Sequence, residues 1–186
     1  MFKDMNVVNY TPATLAILDT LGESSDSSFH TRKIAEEAGV SVGAASTILR
    51  ELERQNLAVS EVKGNMKFYR IDLLNPVARE FKVLFNIIKL KPLVDPLKEI
   101  ADRVTLFGSC AEGLDGKDSD VDLFILAQDA RPVNEEVARF EKQFEKQFHR
   151  HLSPIIVDAE GQARMRRQDS PLFNEIARGR VLWPKE

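Results

Sequence analysis

Apolar positions in the first quarter of the chain recur with a helical period. Leu15, Leu18 and Leu21 follow a Thr11-Pro12 start, which predicts a short amphipathic helix before GESSDSS loosens the pattern. Thr31 then offers an N-cap to RKIAEEAG, a helix of about two turns that Gly39 stops. Ser41 caps another helix at once, through VGAASTILRELERQN, with Val42, Ala45, Ile48, Leu49 and Leu52 on one face. Two helices joined by the tight GVS turn form a helix-turn-helix signal.

The period then changes. LAVSEV and MKFYRI are strand-like runs around KGN, which predicts a hairpin. Helix, helix-turn-helix and hairpin, in that order, resemble the winged helix-turn-helix domains of prokaryotic transcription regulators over about residues 8–73. Asn75-Pro76 opens a further helix carrying Val77, Phe81, Leu84, Phe85 and Ile88, and Pro92 and Pro96 punctuate the chain after it. Beyond it come a helix around LKEIADR, the strands VTLFGS and VDLFILA, and a long helix with Val133, Val137, Phe140, Phe144 and Phe148 inward. The strand PIIV and a closing helical region complete the order. The expected class is α+β: a winged helix-turn-helix domain at 1–74, a connector helix at 75–91, and a small mixed-sheet α/β domain at 92–186.

Composition adds little to this reading. With 43% hydrophobic and 30% charged residues the chain reads as globular, and it contains no apolar run of the roughly 18 residues a membrane span needs. MFKDMNVVNY has neither the basic region nor the apolar stretch of a secretory signal, so a cytoplasmic location is expected. The single Cys110 excludes an intrachain disulfide and a thiolate-rich metal site. Charge is balanced along the chain, with 8 basic against 10 acidic residues up to residue 74 and 18 against 19 beyond it. Any contact with double-stranded DNA must therefore use a local patch.

The chemistry lies in GSCAEGLDGKDSDVDL, residues 108–123. A strand that runs into Gly108-Ser109 and a short helix aims backbone N–H groups and a hydroxyl at one spot, as phosphate binding requires. Asp120 and Asp122, separated by one apolar residue, project from the same face of the next strand. Two adjacent carboxylates repel unless a cation bridges them, and beside phosphate the cation suited to oxygen ligands is Mg²⁺. The residues between these two ends read as a solvated linker.

Gly108, Ser109, Gly113, Ser119, Asp120, Asp122 and Leu123 fall on a pattern that resembles the DNA polymerase β-like nucleotidyltransferase superfamily, in its minimal form, over about residues 92–183. That resemblance implies Gly108 and Ser109 as nucleotide-binding residues, and Asp120 and Asp122 as metal-binding and catalytic ones. It also implies an NTP substrate, ATP foremost, whose NMP is transferred to a hydroxyl on a protein, a small molecule or a partner toxin. The family pattern further implies a third carboxylate on the LSPIIV strand. The alignment puts Ser153 or Pro154 at that place; Asp158 is the nearest acid, and it also suits the N-cap of EGQARMRR. Glu112 stands where many relatives have a basic residue. These departures open a second reading, in which the domain senses nucleotide or metal, or dimerises, without catalysis.

Arg164, Arg166 and Arg167 read as a solvated helix face, and Cys110 as a small buried residue. On the 41–55 helix, Ser46, Thr47 and Arg50 suit a recognition helix in a major groove, and Lys63 on the hairpin suits a phosphate. Glu51 and Glu53 oppose this. A homodimer is the expected DNA-binding form.

Overall fold

The computed structural model describes residues 9–168 and 171–184; residues 1–8, on which the expectation about a secretory signal partly rests, lie outside them. Two compact units divide between Lys82 and Val83.

In the first unit, α1 (Pro12–Glu23) starts at Thr11, whose side chain accepts from the Thr14 amide, and it buries Ile17, Leu18 and Leu21. The two-residue strand β1 (Phe29–His30) was not expected, being too short for any alternation to register. His30, not Thr31, is the N-cap of α2 (Thr31–Glu37): its backbone is extended and its Nδ1 accepts from the Lys33 amide at 3.2 Å. An N-cap must sit outside the helix, and Thr31 is already its first residue. Ser41 caps α3 (Val42–Arg54), which buries Ala45, Leu49 and Leu52. Val42, expected on that face, is 49% exposed because it stands at the helix start, ahead of the buried stripe.

Strands β2 (Ala58–Lys63) and β3 (Met66–Ile71) pair antiparallel, and Lys63 opposite Met66 leaves Gly64-Asn65 as the turn. Gly64 has φ +61°, which a two-residue hairpin turn requires. With β1 on the outer side of β3 the order is β1-β3-β2, the architecture of a winged helix-turn-helix.

The division falls within α4 (Pro76–Leu97), which runs through Pro92 and Pro96 without breaking. The expected separate helix around LKEIADR is a turn at 98–100. A proline removes the bond to the carbonyl four residues back. Here Pro92 faces outward above the 55% exposed Ile88, so water can replace that bond, while Leu90, Leu93 and Leu97 hold the opposite side buried. The apolar period also points to the wrong side of α4: Val77, Leu84 and Ile88 are exposed, and Ala78, Lys82, Val83 and Asn86 are buried. Within the first unit the buried Lys82 Nζ donates to the Gly22 carbonyl at 2.9 Å and the Ser25 hydroxyl at 3.1 Å, which offsets its loss of water.

The second unit contains β4 (Arg103–Phe107), α5 (Gly108–Glu112), β5 (Val121–Leu126), α6 (Ala130–Phe148), β6 (Leu152–Val157), α7 (Ala159–Arg167), α8 (Pro171–Ala177) and β7 (Arg180–Pro184). The sheet order is β6-β5-β4-β7, parallel between β5 and β6 and antiparallel elsewhere. β7 replaces part of the closing helical region that was expected. Pro154 is tolerated in β6 because β6 is an edge strand. Val104, Leu106, Val121, Leu123 and Ile125 pack on one face with the inward side chains of α6. Phe107 and Phe124 form the other face with Ile176 of α8. Among the described residues, no helix is long and apolar enough to cross a membrane.

Candidate active site

The register of the second sheet builds the site. Phe107, the last residue of β4, lies opposite Asp122 on β5, and Asp122 lies beside Ser153 on β6. Gly108 follows with φ +67°; a Cβ there would fall 2.4 Å from Asp122 Oδ2, so only glycine lets the carboxylate rest against the turn. Ser109 is half-buried in α5, and Asp120 is exposed just ahead of β5. The structure therefore brings Gly108, Ser109 and Asp122 together, with Asp120 two residues before Asp122 on the same strand approach. Burial pushes the Asp122 carboxyl above the usual range; the Ser153 hydroxyl donates to it and pulls it back, the charges of Asp120 and Glu175 push it up further, and Arg150 counters them.

The stretch between the two ends is solvated at Glu112, Leu114, Lys117 and Asp118, as a linker would be, but not at Asp115. Asp115 is 3% exposed. Its Oδ2 accepts from Arg150 Nη1 at 3.0 Å and its Oδ1 from Asn86 Nδ2 at 3.1 Å. Arg150 Nε also donates to the Ser119 carbonyl at 2.8 Å, and its Nη2 to Cys110 Sγ at 2.8 Å. Asn86 Nδ2 reaches the Cys110 carbonyl at 3.1 Å, and the Cys110 thiol donates to the Asp120 carbonyl at 3.3 Å. An acidic loop with three glycines is thus held from inside by one arginine. Burial pushes the Cys110 thiol up to about 11, so it stays protonated and is no nucleophile, as its lack of a neighbouring base suggested.

Residues 87–178 match the family model of the nucleotidyltransferase domain. This segment is a nucleotidyltransferase domain. Among solved structures, a homodimeric winged helix-turn-helix DNA-binding domain from Mycobacterium bovis, described as a possible ArsR-family transcriptional regulator, aligns at 23% identity and a TM-score of 0.35. That alignment covers 44% of this chain and 71% of its own. A nucleotidyltransferase candidate from Sulfolobus solfataricus aligns at 17% identity and a TM-score of 0.34, over 57% of this chain and 87% of its own. No curated protein matches the chain.

Within the nucleotidyltransferase domain the remaining expected residues fall apart. Asp158 caps α7, accepting from the Gly161 amide at 2.7 Å. It lies five positions along β6 from Ser153, roughly 16 Å at the rise of a strand, and so is not brought to the aspartate pair. Glu112 is exposed at the end of α5, and Arg164, Arg166 and Arg167 are exposed on α7. Among the described residues, no three His, Cys, Asp or Glu side chains gather to hold a metal. The oxygen donors present, Asp120, Asp122 and the hydroxyls of Ser109 and Ser153, are still the type that Mg²⁺ takes. Sequence reasoning missed Arg150, Asp115 and Asn86, and it missed Glu175 on α8, whose charge reaches Asp122. Arg150, Asn86 and Glu175 stand in no motif, and Asp115 lies within residues 108–123 but at none of the positions that carry the family pattern.

On the winged helix-turn-helix, Thr47 and Arg50 are exposed, Ser46 is partly so, and Lys63 stands out on the wing beside Glu61 at 2.6 Å. The two opposing acids are engaged: Glu51 with Arg54 at 2.6 Å, and Glu53 with Lys67 at 2.7 Å and Ser60 at 2.5 Å. Arg50 Nε turns back to the Ser46 carbonyl at 3.2 Å and has no carboxylate partner among the described residues.

Proposed function

We propose that the chain is a cytoplasmic, homodimeric DNA-binding regulator whose nucleotidyltransferase domain binds an NTP, ATP foremost, together with Mg²⁺, as a sensor site rather than a turnover site. The observation that carries this is Ser153, which stands beside Asp122 in register where a further acid would have to lie. A hydroxyl can hold Asp122 in place, but at neutral pH it cannot add charge to a metal site or take a proton from an acceptor. Gly108 and Ser109 would receive the phosphates, and Asp120 and Asp122 would hold Mg²⁺. When bound, the metal supplies charge neutralisation for the phosphate oxygens. DNA binding is assigned to Ser46, Thr47, Arg50 and Lys63, a reading supported by their exposure and by the engagement of Glu51 and Glu53.

A transferase reading has one observation in its favour, the reach of the Glu175 charge to Asp122. If α8 closes on the site, Glu175 would bring the third acid, and the acceptor would be a hydroxyl on a protein, a small molecule or a partner toxin. Equilibrium dialysis with ATP and Mg²⁺, followed by incubation of labelled ATP with cell lysate, separates the two readings. Retention of ATP without transfer of label supports the sensor. Transfer that Glu175→Gln and Asp122→Ala each abolish would establish the enzyme instead. Failure to retain ATP at all would defeat both.

A further inference from the structure

We infer that Arg150 is a positioning residue that fixes the separation between the Gly108–Ser109 turn and the Asp120–Asp122 pair, and thereby sets how tightly the site holds a metal-bound nucleotide. The inference rests on the proposed nucleotide binding and assigns a role to a residue outside the motif. One guanidinium makes three bonds at three separate points of the loop: Cys110 Sγ at 2.8 Å, Asp115 Oδ2 at 3.0 Å and the Ser119 carbonyl at 2.8 Å. Cys110 lies two residues after Gly108, and Ser119 one residue before Asp120, so the outer bonds grip the loop next to each functional end.

Within the loop the Leu114 amide donates to the Ser109 carbonyl at 3.0 Å, the Gly116 amide to the Ser119 hydroxyl at 2.9 Å, the Ser119 amide to the Gly116 carbonyl at 3.3 Å, and the Cys110 thiol to the Asp120 carbonyl at 3.3 Å. Of these, the last alone joins the phosphate end to the metal end, and it is a weak thiol bond. Arg150 joins the two ends with charge-assisted bonds to Cys110 Sγ and the Ser119 carbonyl, and Asn86 ties the phosphate end to the middle of the loop by donating to both the Cys110 carbonyl and Asp115 Oδ1 at 3.1 Å. A planar fork with five donors can hold three acceptors at fixed angles; a lysine ammonium in its place is a point charge on a flexible stem.

The arginine is itself held from both sides. His149 before it adopts φ +53° as the left-handed C-cap of α6, and the His151 carbonyl after it accepts from the Val121 amide at 2.9 Å. The Arg150 and Asp115 side chains are 12% and 4% exposed. A buried ion pair adds little net stability, because desolvation of both charges offsets their attraction, and apolar replacements of both are often neutral. Geometry, rather than stability, is what such a hub supplies. All three of these Arg150 bonds go to the loop, so the arginine acts through it.

The test uses the full chain with Mg²⁺·ATP as the probe, measured by calorimetry beside the thermal midpoint and amide hydrogen exchange. Arg150→Lys keeps the charge and loses the fork, and Arg150→Met with Asp115→Leu removes the buried pair while sparing stability. Both are expected to melt within a few degrees of the parent, to bind the probe roughly 10–100-fold more weakly, and to exchange faster at the hydrogen-bonded amides of Leu114 and Val121. If either variant folds cooperatively and binds the probe like the parent, the inference is overturned. If the parent itself binds no Mg²⁺·ATP, the nucleotide reading falls, and exchange decides the positioning role separately. Faster exchange confined to those amides then supports it, and unchanged exchange overturns it.

Discussion

Gly108 carries two demands at one position, a left-handed φ of +67° and the Asp122 carboxylate where a side chain would be. Gly108→Ala is therefore expected to cost about 1–2 kcal/mol in backbone strain alone and to displace Asp122, so that binding of Mg²⁺·ATP falls far more than stability does. Calorimetry beside urea unfolding checks this, and equal affinity in the variant would defeat it. Cys110 offers a pH test. The folded chain keeps its thiol proton up to about 11 against an ordinary 9.0. Between those values the folded state binds a proton that the unfolded chain has released, so this contribution is present below about pH 9 and is lost as pH rises toward 11, by roughly 2–3 kcal/mol in full. Urea unfolding at about pH 8.5 and 10.5 should show a steeper loss for the parent than for Cys110→Ala; parallel losses would remove the assignment. At this scale the approach of Gly108 to Asp122 was legible because a local spacing encodes it. Arg150 was not, because its partners lie 31 to 40 residues away and no local pattern announces a hub.

At the scale of elements, punctuation was the readable signal. Ser41, the GVS turn and the Gly64-Asn65 pair gave α3 and the hairpin directly, because caps and tight turns are chosen by local backbone chemistry. β1 and β7 were lost, since short strands that owe their existence to a partner leave too little alternation to detect. α4 misled twice. It is apolar on both sides, so its period could not tell the outward Val77, Leu84 and Ile88 from the inward Ala78, Val83 and Leu90, and its prolines stand where the freed carbonyls face outward. The exposed face of α3 yields a firm expectation. Arg50→Ala should weaken binding to a selected operator by about 1–3 kcal/mol, with little change in the melting midpoint because Arg50 is exposed and makes no ion pair among the described residues. Mobility shifts over a series of salt concentrations measure it, and an unchanged affinity would remove α3 from the DNA contact.

For the whole molecule, a sensor must connect its two activities. If Mg²⁺·ATP alters the affinity for DNA by some factor, then DNA must alter the affinity for Mg²⁺·ATP by the same factor, since the two changes share one coupling free energy. Titrating each ligand with and without the other checks this; a factor indistinguishable from one in both directions would leave two independent modules and no sensor. The α+β class and the order of the units were legible along the chain, because the winged helix-turn-helix and the strand-turn-strand motif each lie within one continuous stretch. How the acid pair is completed was not, because that depends on which residue of β6 falls beside Asp122, a matter of strand register across roughly thirty residues.

The lone thiol has a further use. Cys110 is fully buried beneath Arg150 and inside the loop that separates the two ends of the site, so a reagent can reach it only when that loop lifts away. The rate at which the protein is alkylated therefore serves as a built-in clock for the opening of the loop, and it needs neither an introduced label nor an identified substrate.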